Sequence, residues 1–202
     1  MINFNDAERN RFSYSPLEQE VISRIYGISY KENPNIALDD LRYITVRYVD
    51  FNGNKKNGEL ISHKQIASCL IDIFYELFNA GYPIERIGLI DEYRGDDLLS
   101  MAANNSSCFN YRRVAGRDTL SKHAYGLGID INPLYNPYIT ILNNKEIVLP
   151  PNASPYVDRN RKFNGKIDTS DLCYKLFTSY GFTWGGSWAG RKDYQHFEIE
   201  LQ

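Results

Sequence analysis

The 202-residue chain has only three cysteines and three histidines. Cys69, Cys108 and Cys173 are odd in number, far apart and without CxxC spacing, so they neither build a cysteine-based structural zinc site nor all pair as disulfides. Cys69 and Cys173 lie in stretches with helical apolar spacing, where a free buried thiol is expected. No run approaches the roughly 20 apolar residues of a membrane span. The opening MINFNDAERNRFSYSPLEQE lacks an apolar signal core, so the chain as given is expected to be cytosolic or trimmed. There is no basic tract and the formal net charge is -2, which argues against nucleic acid or an anionic membrane as partner. Repeats, low-complexity runs and Pro/Ser-rich linkers are also missing, which favours a single domain.

What is present is ordinary for a soluble globular protein, with 43% hydrophobic and 24% charged residues. Sixteen tyrosines and ten phenylalanines suit a ligand groove and a packed core equally, so they decide nothing alone. Residues 1 to about 15 are polar and read as loose. SPLEQEVISRIYG predicts a helix with Ser15 as N-cap, Pro16 at the first helical position and Gly27 at the end. LRYITVRYVDF and GELISH flank the turn-rich NGNKKNG and predict a hairpin. Residues 63–80 carry apolar side chains at 66, 69, 70, 73, 74, 77 and 78, the period of a long core helix, closed by Gly81 and Pro83. IERIGLID and LGIDIN read as strands and DDLLSMAANN as a short helix. YITILNNKEIVLP reads as a hairpin turning at its two asparagines, DTSDLCYKLFTSYG as a capped helix ending on Gly181, and DYQHFEIEL as a last strand. The expected class is α+β, a small, mainly antiparallel sheet flanked by helices.

With so few histidines, each can be weighed. Zinc in hydrolytic sites is typically held by three His or carboxylate ligands, with water in the open fourth position. His123, Asp130 and His196 are the candidates. Gly126 and Gly128 let the backbone between His123 and Asp130 turn tightly and pass close to a metal or ligand. Asp130 heads an apolar strand, a poor place for a carboxylate without a task. Asp193, three residues before His196, is placed to take a proton from an activated water. Taken singly, these spacings are weak, and a lone histidine is as readily a satisfied structural residue.

The stretch SKHAYGLGID, residues 121–130, resembles the SxHxxGxAxD motif of the zinc D-Ala-D-Ala carboxypeptidase and L-Ala-D-Glu peptidase-like enzymes of bacterial cell-wall metabolism. DYQHFE, residues 193–198, is similar to their second motif. The resemblance continues through GYPIERI, DDLLSMAANNSSCFNYRR, HAYGLGIDINPLYNPY and GFTWGGSWAGRKDYQHFE, covering most of residues 60–200 in the family's order. It implies the zinc scaffold of these carboxypeptidases and of hedgehog-like proteins. The implied organisation is an N-terminal extension over 1–40, with one helix packed on the domain, and a zinc peptidase catalytic domain over 41–202. It makes His123, Asp130 and His196 the Zn²⁺ ligands and Asp193 the general base. Arg112 matches the arginine that polarises the scissile carbonyl or holds a substrate carboxylate, with a surface salt bridge as the plain reading. Arg113 beside it leaves the register open. Ser121 matches the serine that touches substrate or orients the loop, and Gly128 stands where the motif usually has alanine.

Other residues fall outside the motifs. His63 reads as a helix-start or supporting histidine. Trp184 and Trp188 suit an aromatic wall holding substrate, and core packing is an equal reading. Glu92, Asp96 and Asp97 read as a solvated loop and helix cap rather than a calcium site. The function implied is zinc-dependent hydrolysis of peptidoglycan stem peptides, as an L-Ala-D-Glu endopeptidase or a D-Ala-D-Ala carboxypeptidase. Asp rather than Glu as the base looks more like the endopeptidases. A monomer is expected, with peptidoglycan peptide as partner, no nucleic acid and no membrane span. The place of action implied by that substrate is extracytoplasmic. The alternatives are a catalytically inactive zinc-containing wall-binding or signalling module, and a wall-binding protein without metal.

Overall fold

Residues 8–114 and 117–201 are described in the structure, a computed structural model. The expected loose N-terminus lies partly outside them, at residues 1–7; the rest is ordered differently from the expectation. Ser13–Pro16 form strand β1, paired antiparallel with β2 (Leu41–Val49) from Ser13 opposite Thr45 to Pro16 opposite Arg42. Ser15 and Pro16 therefore do not cap a helix. Pro16 is tolerated because β1 is an edge strand, where a missing N–H costs no ladder bond. The helix α1 starts later, at Gln19–Ile25, behind Glu18, whose side chain makes no cap bond. Gly27 closes it at a φ of 83°, as the sequence predicts.

Strand β3 (Lys55–His63) pairs with β2 from Leu41 opposite His63 to Val49 opposite Lys55. The turn is shorter than NGNKKNG, because Lys55 to Gly58 already belong to β3. Asp50 holds it, its Oδ1 accepting from the amides of Asn52 at 2.9 Å and Asn54 at 2.8 Å. Helix α2 (Ala67–Asn79) lies across β2 and buries Leu70, Ile73, Phe74 and Leu77, the stripe expected from its periodicity.

IERIGLID contributes only β4 (Arg86–Ile87), which pairs in parallel with β5 (Asn105–Ser106) across the helix α3 (Asp97–Ala102). Asp96 caps α3, accepting from the Leu99 amide. Next come β6 (Gly128–Asp130) and the hairpin β7 (Tyr138–Leu142) and β8 (Lys145–Leu149). Asn143 and Asn144 turn it at φ 51° and 58°, as a two-residue hairpin with both central residues left-handed requires. Helix α4 (Leu172–Ser179), capped by Asp171, precedes β9 (Thr183–Trp184), β10 (Arg191–Asp193) and β11 (His196–Glu198).

The class is mixed α and β with antiparallel pairing dominant, but not one sheet. Among the described residues the strands form three small three-stranded antiparallel sheets, β1-β2-β3, β10-β7-β8 and β6-β11-β9, plus the parallel pair. One core joins them. Phe177 of α4 meets Phe74 of α2 edge-on at 6.4 Å and stacks on Phe197 of β11 at 4.5 Å. A second apolar cluster packs Val21, Ile25, Tyr30 and Ile36 against Leu41, Ile61, Leu89 and Phe109. Cys108 and Cys173 are buried and free, and Cys69 is free and half-buried. Phe177→Ala is expected to cost about 3–5 kcal/mol, read as a lower urea midpoint with an unchanged denaturant slope; a loss under 1 kcal/mol would contradict this view of the core.

Candidate metal centre and its pocket

Strands β6 and β11 pair with His196 opposite Asp130, Phe197 opposite Ile129 and Glu198 opposite Gly128. Side chains alternate faces along a strand. Ile129 and Phe197, both fully buried, therefore go to the core, and Asp130, His196 and Glu198 share the other face. Ser107 grips Asp130 from the free edge of β6, exchanging backbone bonds of 2.9 and 3.2 Å with it. His123 arrives from a single 3-10 turn, Lys122–Tyr125, whose N-cap Ser121 accepts from the His123 amide through Oγ. Gly126 ends that turn at φ 65°, and a Cβ there would sit 2.5 Å from the His63 amide nitrogen. Only glycine lets the turn lie this close to the end of β3, where the His63 N–H donates to the Gly126 carbonyl at 2.9 Å.

The three side chains meet as a cluster. His123 Nε2 lies 3.1 Å from His196 Nδ1 and 3.3 Å from Asp130 Oδ2, and His196 Nδ1 lies 2.9 Å from Asp130 Oδ1. Ligands about 2.0–2.1 Å from a tetrahedral zinc are separated by roughly 3.3 Å, so these atoms are spaced like three corners of such a shell. The remaining ring nitrogens are also committed. His123 Nδ1 pairs with the Cys108 carbonyl and His196 Nε2 with Glu198 Oε2 at 3.0 Å. Outer partners of this kind set the tautomer that turns a bare nitrogen toward a metal. Glu198 was not singled out from sequence, although the His-x-Glu alternation in a strand could have found it. A Cβ on Gly128 would approach His196 Cε1 to 3.0 Å and His123 Cδ2 to 3.2 Å, so the usual alanine would need the two rings to give slightly.

Charge is tightly balanced here. Burial opposes ionisation of Asp130, yet His123 and His196 hold its pKa far below the usual carboxylate range. Burial likewise opposes a charged His196, but hydrogen bonds to Asp130 and Glu198, with the charges of Asp130 and Asp193, push it up to about 10. The His196 bond in turn lowers Glu198. Asp193 goes the other way: burial, opposed by His196 and reinforced by Asp130, raises it to about 6. Its Oδ1 is buried without a hydrogen-bond partner.

A cavity of about 410 Å³ opens over the cluster, and Asp193, Ser121, Arg112, Trp188 and Glu198 line it. Arg112 lines this cavity, while Arg113 is not among its lining residues and pairs with Asp118. Asp97 is more than a solvated loop acid, because it also lines the cavity, forms an ion pair with Arg112 and accepts from Asn110 Nδ2 at 2.9 Å. Trp184 is a correction to the expected aromatic wall. Its ring is in the core beside Tyr174 and its indole N–H donates to the Tyr194 carbonyl at 2.9 Å. Trp188 lies 5.5 Å from the His196 ring, between centroids. His63 stays apart from the cluster, its Nδ1 accepting from the Gln65 amide and burial lowering its pKa.

Residues 115–199 match the model of a family described as D-alanyl-D-alanine carboxypeptidase. The match takes in both motifs but less than half of the chain. The matched stretch is thus similar to the peptidase family that its motifs resemble. No match is found among curated proteins or among solved structures.

The pH behaviour follows from the two shifted groups. The Asp130 pairing stabilises the fold above the ordinary carboxylate range and is lost as pH falls through its lowered pKa. The His196 contribution is complete below the ordinary imidazole value and fades as pH rises toward about 10. A divalent cation entering the cluster must displace that proton. Apparent affinity should therefore rise about tenfold per pH unit between pH 7 and 9, measured by competition with a chromophoric chelator. An affinity flat in pH over that interval would contradict the charge assignment.

Proposed function

We propose that this protein is a zinc-dependent peptidase that hydrolyses stem peptides of bacterial peptidoglycan, acting outside the cytoplasm. The observation that carries the reading is the tetrahedral-edge spacing of His123 Nε2, His196 Nδ1 and Asp130 beneath an open cavity. Two imidazoles and one carboxylate are a donor set suited to catalytic zinc, with one position left for water. When bound, zinc would lower the pKa of that water to about 7 and polarise the scissile carbonyl.

The chain's own groups supply the rest. Asp193 Oδ1 takes the proton of the attacking water and returns it to the departing amine. Burial, which favours the protonated form of Asp193, makes it a better proton acceptor than an exposed carboxylate. Arg112, held by Asp97, faces the developing oxyanion or a substrate carboxylate from the cavity wall. Ser121 fixes the turn that aims His123. Glu198 and the Cys108 carbonyl keep both imidazoles in the metal-binding tautomer. An aspartate in the base position favours the L-Ala-D-Glu bond over the terminal D-Ala-D-Ala bond.

Asp193 separates this reading from a metal-containing binding module, which has no use for a buried proton acceptor facing the cavity. Asp193→Asn is expected to lower kcat by about 10²–10⁴-fold while zinc content stays at the wild-type level. Mass spectrometry of purified peptidoglycan fragments reads the cut. Wild-type protein loaded with zinc that leaves every fragment unchanged would overturn the assignment.

A further inference from the structure

The cavity over the cluster carries four cationic side chains: Arg112, Arg117, Lys122 and Arg191. Two already have carboxylates, Arg112 from Asp97 and Lys122 from Glu200. Arg117 is exposed in a turn. Arg191 differs from all three. It is half-buried, fixed in β10 opposite Thr140, and its guanidinium lies 4.6 Å over the Trp188 ring, with no acidic partner among the described residues. A guanidinium stacked on an indole keeps its in-plane donors pointing sideways and free.

Its placement relative to the chemistry follows from strand geometry. Arg191 and Asp193 are two residues apart in β10, hence on one face, and both line the cavity, whereas the intervening Lys192 does not. Two residues of strand separate their backbones by roughly 7 Å. The α-carboxylate of the residue after a scissile carbonyl lies within about 4 Å of that carbonyl, and the long arginine side chain covers the difference. Trp188 ties the same guanidinium to the cluster, since its ring also packs against His196.

Resting on the peptidase reading, we propose that Arg191, stacked on Trp188, is the specificity-determining residue that receives a free carboxylate of the substrate residue adjoining the cut. Its planar fork takes both carboxylate oxygens, and a neutral amide in that place cannot engage it in the same way. The preferred substrate class is then a peptide with an unamidated acidic residue beside the scissile bond. Arg112 is left for the carbonyl oxygen, because its charge is already balanced by Asp97.

The test compares two stem peptides that differ only in carrying D-glutamate with a free α-carboxylate or the corresponding carboxamide. With zinc-loaded protein, wild type should favour the carboxylate peptide in kcat/KM by about ten- to a hundredfold. In Arg191→Gln that ratio should collapse toward one, and Arg191→Lys should restore part of it. Folding and zinc content of each variant are checked alongside. The same pair is titrated by tryptophan fluorescence with and without zinc, which reads binding without turnover. A carboxylate preference in binding that Arg191→Gln abolishes supports the inference even if neither peptide is cut, in which case the peptidase reading alone fails. Equal rates and equal binding of the two peptides by wild type, or a preference that survives in Arg191→Gln, overturn it.

Discussion

Pairing β6 with β11 in one register puts Asp130 and His196 side by side on one face while Ile129 and Phe197 enter the core on the other. A slip of one residue would reverse every side chain, burying two charges and exposing two large apolar groups. Phe197 is locked by its stack on Phe177, which in turn meets Phe74 of α2. The core therefore sets the polar face, since apolar packing fixes the strand pair and the strand pair fixes the spacing of Asp130 and His196. His123 joins only because Gly126 lets its turn lie against the end of β3.

The polar face depends equally on parts of the chain far from the two motifs. The carbonyl that orients His123 belongs to Cys108, and the carboxylate that balances Arg112 belongs to Asp97 at the start of α3. Both lie before the stretch that matches the family. Asp193 and Arg191 come from β10, which is held to β7 rather than to the β6-β11 pair. The cavity thus forms where two separate small sheets and α3 converge. That arrangement sets the His123, Asp130 and His196 cluster beside walls drawn from other elements.

Much of this was legible because the signals were local. The period of α2, the Asn143-Asn144 turn and the Asp96 cap each rest on a few neighbouring residues whose chemistry admits few structures. His123, Asp130 and His196 were legible through two motifs, and the structure brings all three together. Other features depend on partners distant in sequence. Ser15 and Pro16 carry helix-start chemistry, yet a free edge of β2 takes them as a strand. The two tryptophans look alike in sequence, but the Tyr194 carbonyl draws Trp184 inward and leaves Trp188 on the cavity. The pairing of Asp97 with Arg112 spans a fold that no local pattern encodes. Glu198 could have been found from strand alternation beside His196.

The central claim is that His123, Asp130 and His196 hold one zinc ion with a position left open. X-ray absorption at the zinc edge on stoichiometrically loaded protein addresses it most directly. The account predicts one ion per chain in a shell of nitrogen and oxygen at about 2.0–2.1 Å, with the outer scattering of two imidazoles and no sulfur. A shell containing sulfur, a single imidazole, or no stoichiometric zinc would contradict it.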